Sequence, residues 1–224
     1  TPKPSSAASD VYKRQELKTV ATDSHRMSQK VMTLDKNGDN FDVVIPSRSL
    51  REFTSVFSDD IETVEVFFAN NQILFRSEHI SFYTRLLEGN YPDTDRLIPT
   101  EFNTEATFNV GNLRFAMERA RLLSNATQNG TVKLEFKNGI VSSHVHSPEV
   151  GRVNEEIDTS AVAGEDLSIS FNPTYLIEAL KSIDSEQVVI RFISSVRPFT
   201  LVPEGNEQGF IPVSYTHLTL PTKA

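Results

Sequence analysis

The stretch "ATDSHRM" sets Thr22, Asp23, His25 and Arg26 side by side, an acid and a base close enough to exchange a proton. The same residues close an alternating run, and there they read as a polar turn at a strand end, which is the reading we take. "HVH" puts His144 and His146 on one face of a strand, two ligands for a metal ion. A zinc site needs a third protein ligand, and no residue is spaced to supply it. The chain has no Cys, so thiol chemistry, disulfides and cysteine-based zinc sites are excluded. Its 30 acidic residues are dispersed, with no DxD or HExxH arrangement, no GxxxxGK[ST] phosphate loop and no GxSxG elbow. We expect no catalytic residue, no metal ligand and no cofactor.

The cations say more. Arg48 and Arg51, then Arg114, Arg119 and Arg121, then Lys181, lie off the apolar stripes of three candidate helices. Positive helix faces can meet a phosphate backbone without reading bases. Glu52, Glu118 and Glu178 share those faces, so plain solvation is an equally good account of each. The net charge of −8 argues against a protein coated in nucleic acid over its whole surface. No apolar run approaches the roughly 20 residues that span a bilayer. We expect a soluble, cytoplasmic protein with no membrane partner.

These residues are positioned by an internal repeat. "IPSRSLREFTSVF" from Ile45, "FNVGNLRFAMERA" from Phe108 and "FNPTYLIEALKSI" from Phe171 begin 63 residues apart. Each carries an amphipathic pattern: Leu50, Phe53, Thr54 and Phe57; Leu113, Ala116, Met117, Ala120 and Leu123; Leu176, Ala179, Leu180 and Ile183. Ser47 and Asn109 are candidate N-caps, and Pro173 suits a first helical turn. After each helix the period changes to two. Strands are predicted at Thr63–Phe68, Gln72–Ser77, Ile80–Leu86 and Thr131–Phe136, with Asn138-Gly139 turning back through Val145. "QVVIRFIS" and "RPFTLVPE" form a further pair, and "QGFIP" a last strand. The fold class is α+β: strand–helix–three-strand units of about 63 residues, two per domain, helices on one face of antiparallel sheets. The proline-bearing, polar stretch Tyr91–Glu105 breaks the pattern, and the domain boundary is placed near Pro99–Asn103.

The two ends obey a different logic. Written in one set of codons, Ser5–Gln15 ("SSAASDVYKRQ") reverse-complements in a shifted frame to VSYTHLTLPT, which is Val213–Thr222 residue for residue. One inverted DNA repeat translated at both ends accounts for both stretches, and it resembles a transposase-end adapter from sequencing libraries. Residues 1–15 and 213–224 are therefore expected to be adapter-derived and without order. Setting them aside leaves 16–212, a more acidic stretch.

Within 16–212, "VATDSHRM", "VVIPSRSL", "RLLEGNYPDTDRLIP", "ARLLSN" and "FNPTYLIEALKSID" occur in an order and spacing that resembles the bacterial DNA polymerase III beta subunit, the replication sliding-clamp family. The resemblance implies a DNA-clamp fold, with 16–100 a truncated middle domain and 101–212 the C-terminal domain. It implies a processivity factor, a non-catalytic part of a DNA-directed DNA polymerase, whose full-length homodimer closes head to tail around double-stranded DNA. The six cations above become candidates to face that DNA, Arg48 and Arg51 foremost. It further implies a groove for short clamp-binding peptides of the polymerase III catalytic subunit, the clamp loader and repair polymerases. Thr22, His25, Arg26, Met27, Pro92 and Leu97 would line it, with Gly209, Phe210 and Ile211 from the terminal strand. Met27 stands where Leu is more usual and Leu97 where Val is common, and both keep the wall apolar. Leu122 and Leu123 correspond to the subunit contact, and periodicity turns Leu122 outward. The family's first domain, which that contact meets, has no counterpart here, so this chain is not expected to close a ring. Two other readings stand beside this one: a nucleic-acid-processing enzyme on a repeated α+β scaffold, or a peptide-binding adaptor without DNA.

Overall fold

The computed structural model describes residues 6–9, 16–23, 25–34, 41–57, 61–89, 91, 94, 98–124, 130–147, 151–205 and 213–214. The chain divides into two units, Thr1–Thr94 and Asp95–Ala224. The division falls a few residues before the Pro99–Asn103 boundary expected from the polar stretch.

The first unit contains β1 (Ser6–Ser9), β2 (Glu16–Thr22), β3 (Arg26–Thr33), β4 (Val44–Pro46), α1 (Ser47–Val56), β5 (Glu65–Ala69), β6 (Gln72–Arg76) and β7 (Ser81–Arg85). One antiparallel series runs β3-β2-β1-β4 and a second runs β5-β6-β7. Strand β1 lies in a stretch expected to lack order, yet it pairs with β2 on one side and β4 on the other. Helix α1 starts at Ser47, and Pro46 holds the cap position with φ −60° and ψ 131° and no side-chain hydrogen bond. Ser47 is therefore the first helical residue rather than its cap: the proline ring already fixes the extended backbone that a capping residue needs.

The second unit contains β8 (Thr104–Asn109), α2 (Val110–Ser124), β9 (Val132–Lys137), β10 (Ile140–Ser147), β11 (Gly151–Ile157), β12 (Ala161–Gly164), β13 (Leu167–Phe171), α3 (Pro173–Lys181), β14 (Gln187–Phe192), β15 (Phe199–Pro203) and β16 (Val213–Ser214). The three helices begin at Ser47, Val110 and Pro173, 63 residues apart each time. The side chain of Asn109 accepts the Asn112 N–H at 3.0 Å and caps α2. Asn172 does the same for α3 through the Thr174 N–H at 2.9 Å, ahead of Pro173. Asn138 and Gly139 turn β9 into β10 with φ 52° and 78°, the left-handed pair that a two-residue hairpin requires. The predicted "QGFIP" strand lies outside the described residues, and the strand pairing with β15 is Val213–Ser214 instead.

The connectivity of this unit is reciprocal. The first strand of the first half, β8, pairs with β14 of the second half; the first strand of the second half, β13, pairs with β9 of the first. Each antiparallel series thus takes in a strand from the other half: β12-β8-β14-β15-β16, and β13-β9-β10-β11. Helices α2 and α3 pack together over the inner faces. One buried cluster results, filled by Phe108, Leu113, Met117, Phe136, Ile177, Phe192 and their neighbours.

Setting the first unit against this pattern explains its surface. The order β3-β2-β1-β4 repeats β11-β10-β9-β13, so Ser6–Ser9 occupies the place that β9 fills in the second unit. Strand β5 occupies the place of β14, but among the described residues it has no neighbour equivalent to β8. Helix α1 buries none of its residues, whereas α2 buries six and α3 four. Of its predicted stripe, Leu50 and Phe53 are half-buried, Thr54 is exposed, and Phe57 is buried just beyond the helix end. Phe53 packs on Phe57 at 4.4 Å and on Phe75 at 4.6 Å between ring centroids, which fastens α1 to its sheet.

Strand β12 was not marked in the sequence. It pairs antiparallel with β8 and ends at Gly164, φ 101°, where a Cβ would stand 2.0 Å from the carbonyl oxygen of Asn103. The Glu165 N–H donates to that same oxygen at 3.0 Å, and the Thr104 hydroxyl donates to the Glu165 carbonyl at 2.8 Å. Among the described residues no helix is long and apolar enough to cross a membrane. Gly164→Ala is expected to cost at least about 2 kcal/mol, from left-handed backbone strain plus the clash. Differential scanning calorimetry checks this, and an unchanged melting midpoint would contradict it.

Candidate functional site

The β2–β3 connection is built around one carboxylate. Asp23 accepts the backbone N–H of His25 and of Arg26, both at 3.1 Å on Oδ1, while its Oδ2 takes Arg26 Nε at 2.9 Å. The Thr22 hydroxyl donates to the Arg26 carbonyl at 2.8 Å, and the Asp23 N–H donates to it at 3.3 Å. An Asp that bonds to the backbone two and three residues on is a self-contained turn former. The acid–base pairing that "ATDSHRM" suggested is consumed in holding this turn. It leaves His25 exposed and Arg26 half-buried, and it draws Met27 into the interior at 1% exposure.

Of the expected peptide groove, Thr22, His25, Arg26 and Met27 are thus brought together on one turn. Met27 is buried rather than an exposed wall, because Val20 and Met27 are the inward residues of their strands. Pro92, Leu97, Gly209, Phe210 and Ile211 lie outside the described residues. Tyr91 is described: its hydroxyl is buried without a hydrogen-bond partner, and burial raises its pKa above the ordinary phenol value.

The helix cations fall into three environments. On α1, Arg48 is exposed and forms an i,i+4 pair with Glu52 at 2.9 Å, and Arg51 is exposed beside it. On α2, Arg114 is half-buried, 4.0 Å from Glu118 and with its guanidinium 5.2 Å from the centre of the Phe115 ring. Arg119 is committed elsewhere: its guanidinium binds Glu155 of β11 through both carboxylate oxygens, Nε to Oε2 at 3.3 Å. The hydrogen bond donated to Glu155 raises the Arg119 pKa above its ordinary value; desolvation opposes this and the charge of Glu155 adds to it. Arg121 lies in the last turn of α2 and Lys181 in the last turn of α3, where positive charge meets the negative end of the helix.

A second face of α2 carries Phe115 and Leu122, 52% and 71% exposed, with Arg119 and its Glu155 partner between them. Leu123, one residue on, packs against the core. The division between Leu122 and Leu123 is the one expected from the helical period. Phe115 and Glu155 were not singled out from the sequence. Phe115 had a signal, being an apolar residue off the stripe and seven before Leu122; Glu155 had none.

His144 sits among polar side chains, with Nδ1 2.7 Å from Asn154 Oδ1 and Nε2 2.9 Å from the Ser142 hydroxyl and 3.4 Å from Glu135. Among the described residues no three His, Asp or Glu gather as a metal site would require.

Two antiparallel series per repeated domain, and helices with cation-bearing faces, define a clamp-type α+β protein. Residues 95–220 match the DNA polymerase III beta subunit, C-terminal domain, and residues 10–93 match the central domain. The chain belongs to the DNA polymerase III beta subunit family. It is 78% identical over 196 residues to the beta sliding clamp of Streptococcus pneumoniae, which covers 88% of this chain and 52% of that relative. It is 52% identical to the beta sliding clamp of Lactococcus lactis over 198 residues. The crystal structure of the Streptococcus pneumoniae beta chain superposes with a TM-score of 0.92, at 71% identity over 96% of this chain and 57% of that one. That of Bacillus subtilis superposes with a TM-score of 0.90 at 34% identity, over the same shares of the two chains. Between the two pneumococcal comparisons, the residues added by the longer alignment contribute almost no identities. The chain spans about half the length of the curated relatives it matches.

Asp23→Ala removes an acceptor used three times and is expected to cost the first unit about 1–2 kcal/mol. Asp23→Asn, which keeps an acceptor oxygen, should lose less than half as much. Urea unfolding checks the pair, and equal losses would show that the acceptor geometry is not what holds the turn.

Proposed function

We propose that this chain is part of a sliding-clamp subunit, a processivity factor that encircles duplex DNA without reading its sequence and tethers its partners in the cytoplasm. The observation that carries this reading is the pair of family domains matched in tandem over nearly the whole chain. The partners are double-stranded DNA and the clamp-binding peptides of the polymerase III catalytic subunit, the clamp loader and repair polymerases. The subunit performs no bond chemistry of its own.

The charge distribution supports this function. Sliding needs attraction to phosphate without a deep trap. Arg48 and Arg51 give α1 an exposed positive face, tempered by Glu52, on a body whose net charge is −8. Of the six cations we assign Arg48, Arg51, Arg121 and Lys181 to DNA. Arg114 supplies a weaker contact, because Glu118 and the Phe115 ring share its guanidinium. Arg119 is assigned to the subunit interface instead, since Glu155 already holds it beside Phe115 and Leu122. In the full-length homodimer this face of α2 is the subunit contact, its two exposed apolar side chains giving the desolvated centre and the ion pair its polar rim. The turn from Thr22 to Met27 forms part of the peptide groove, together with Pro92, Leu97, Gly209, Phe210 and Ile211.

A chimera tests the reading: residues 16–205 replace the aligned segment of the Streptococcus pneumoniae relative, and a clamp loader places the product on nicked circular DNA. Retention on the circle and loss on linearisation are expected, and Arg48→Glu with Arg51→Glu should shorten retention several-fold. A chimera that dimerises but is not retained overturns the proposal. For the groove, a labelled clamp-binding pentapeptide should bind about tenfold more weakly to His25→Ala, a change of ~1.4 kcal/mol at an exposed residue. Unchanged binding there and in Met27→Ala would remove the turn from the groove.

A further inference from the structure

The β9–β10 hairpin turns on an Asn-Gly step, and those two residues can react with each other. Asn138 and Gly139 are exposed, with φ 52° and 78°, and they join Lys137 to Ile140, which pair across the two strands. A two-residue turn with both φ positive is of type I′. The Asn138 N–H donates to Asp166 Oδ1 at 3.0 Å. Asp166 is held in place by its neighbour Leu167, which pairs with Phe136 of β9. Its bond fixes the peptide before Asn138 and does not engage the peptide after it. Among the described residues the Asn138 side-chain amide has no hydrogen-bond partner. A Cβ built on Gly139 would meet nothing within 4 Å, so the space around it is open, and glycine has no side chain to screen its own nitrogen. The other Asn-Gly steps, at Asn37 and Asn129, lie outside the described residues.

We propose that Asn138 is a site of spontaneous cyclisation in the folded protein, and that the hairpin itself is why the fold does not prevent the reaction. The Gly139 nitrogen, having lost its proton to hydroxide, attacks Asn138 Cγ. A C–N bond forms, the Cγ–Nδ2 bond breaks, and ammonia leaves with a proton taken from water. Water then opens the five-membered succinimide at one of its two carbonyls, leaving an aspartyl or an isoaspartyl residue. The net change is gain of water and loss of ammonia, with nothing oxidised or reduced. Geometry decides whether a folded chain permits the first step. The nitrogen reaches Cγ when it eclipses Cβ about the Cα–C bond, at a ψ of about −120° for an L-residue, the mirror of the +120° in a type II turn. A type I′ turn lacks that ψ at its first central residue. A type II′ turn has it, and keeps φ positive there. Rotating the single peptide between Asn138 and Gly139 therefore converts one turn into the other while Asn138 retains its φ. Both are two-residue hairpin turns, so the Lys137–Ile140 pair and the strand register survive the rotation. Gly139 alone must cross from positive to negative φ, which glycine does at no steric cost. The reactive conformer is thus one peptide flip from the observed one, with no strand unpaired. The isoaspartyl product carries the backbone through Cβ and adds an atom to the turn. Either product adds a negative charge beside Asp166, whose carboxylate holds the N–H of the same residue.

Timed incubation of the whole chain in neutral to mildly alkaline buffer reads the outcome, by peptide mass mapping with a fragmentation that separates aspartyl from isoaspartyl residues. We expect both products at position 138, the isoaspartyl form in excess, and faster formation as the pH rises because the attacking nitrogen must lose its proton. In urea below the unfolding transition the rate at this position should stay within about twofold of that in buffer, since a peptide flip exposes no buried surface. No product at position 138 overturns the proposal. So does an aspartyl product alone, which comes from direct hydrolysis without the ring. A rate that climbs with urea in step with the unfolded population overturns it as well, because the reaction then belongs to the unfolded chain.

Discussion

Everything in the second unit depends on the exchange of first strands between its halves. Strand β8 belongs in sequence to α2 and β9, yet it hydrogen-bonds to β14; β13 belongs to α3 and β14, yet it hydrogen-bonds to β9. Neither half can close its own sheet, so neither can bury its helix alone. A domain built this way gains its core in one step, when both halves are present. Phe136 of one half and Phe192 of the other stand 4.9 Å apart between ring centroids at its centre. The first unit shows the same rule from the other side. There the slot of β9 is occupied by Ser6–Ser9, the slot of β8 is not filled among the described residues, and α1 buries no residue.

That contrast explains how much of the fold was legible in the sequence. Helix starts at 63-residue spacing and the Asn138-Gly139 hairpin were legible because the period of apolar side chains and a left-handed turn are local properties. Strand β12 was not, because "AVAG" has no alternation to detect. It is a strand only because β8 offers its edge and Gly164 lets the backbone pass within contact of Asn103. Strand β1 was not predicted because Ser5–Gln15 was set aside as adapter-derived, and its pairing with β2 and β4 runs through the main chain. The cap at α1 went to Pro46 and not Ser47, a choice between two residues that both suit a helix start.

The candidate site divides along the same line. The turn of Thr22–Met27 was legible, since an Asp followed by a polar pair after a β run can satisfy its own backbone. Which cation is available for phosphate was not. Arg119 and Arg121 look alike in sequence, two residues apart on one helix. Arg119 is taken by Glu155, 36 residues away, through a strand whose register no local pattern specifies.

The electrostatic and apolar features of α2 then follow from one helix having to serve more than one neighbour. Its buried stripe of Val110, Leu113, Ala116, Met117, Ala120 and Ser124 faces the core and α3. The cations Arg114 and Arg121 flank that stripe, half-buried, where their stems add packing. Asn112, Phe115, Arg119 and Leu122 form the remaining exposed face, two apolar side chains beside a neutral amide and the one charge that Glu155 of β11 pairs. A helix whose only function was to cover a sheet would place charged residues at 115 and 122, because an exposed Phe and Leu contribute nothing to folding in water. The exposed apolar pair beside a paired arginine is what the proposed subunit contact would draw on.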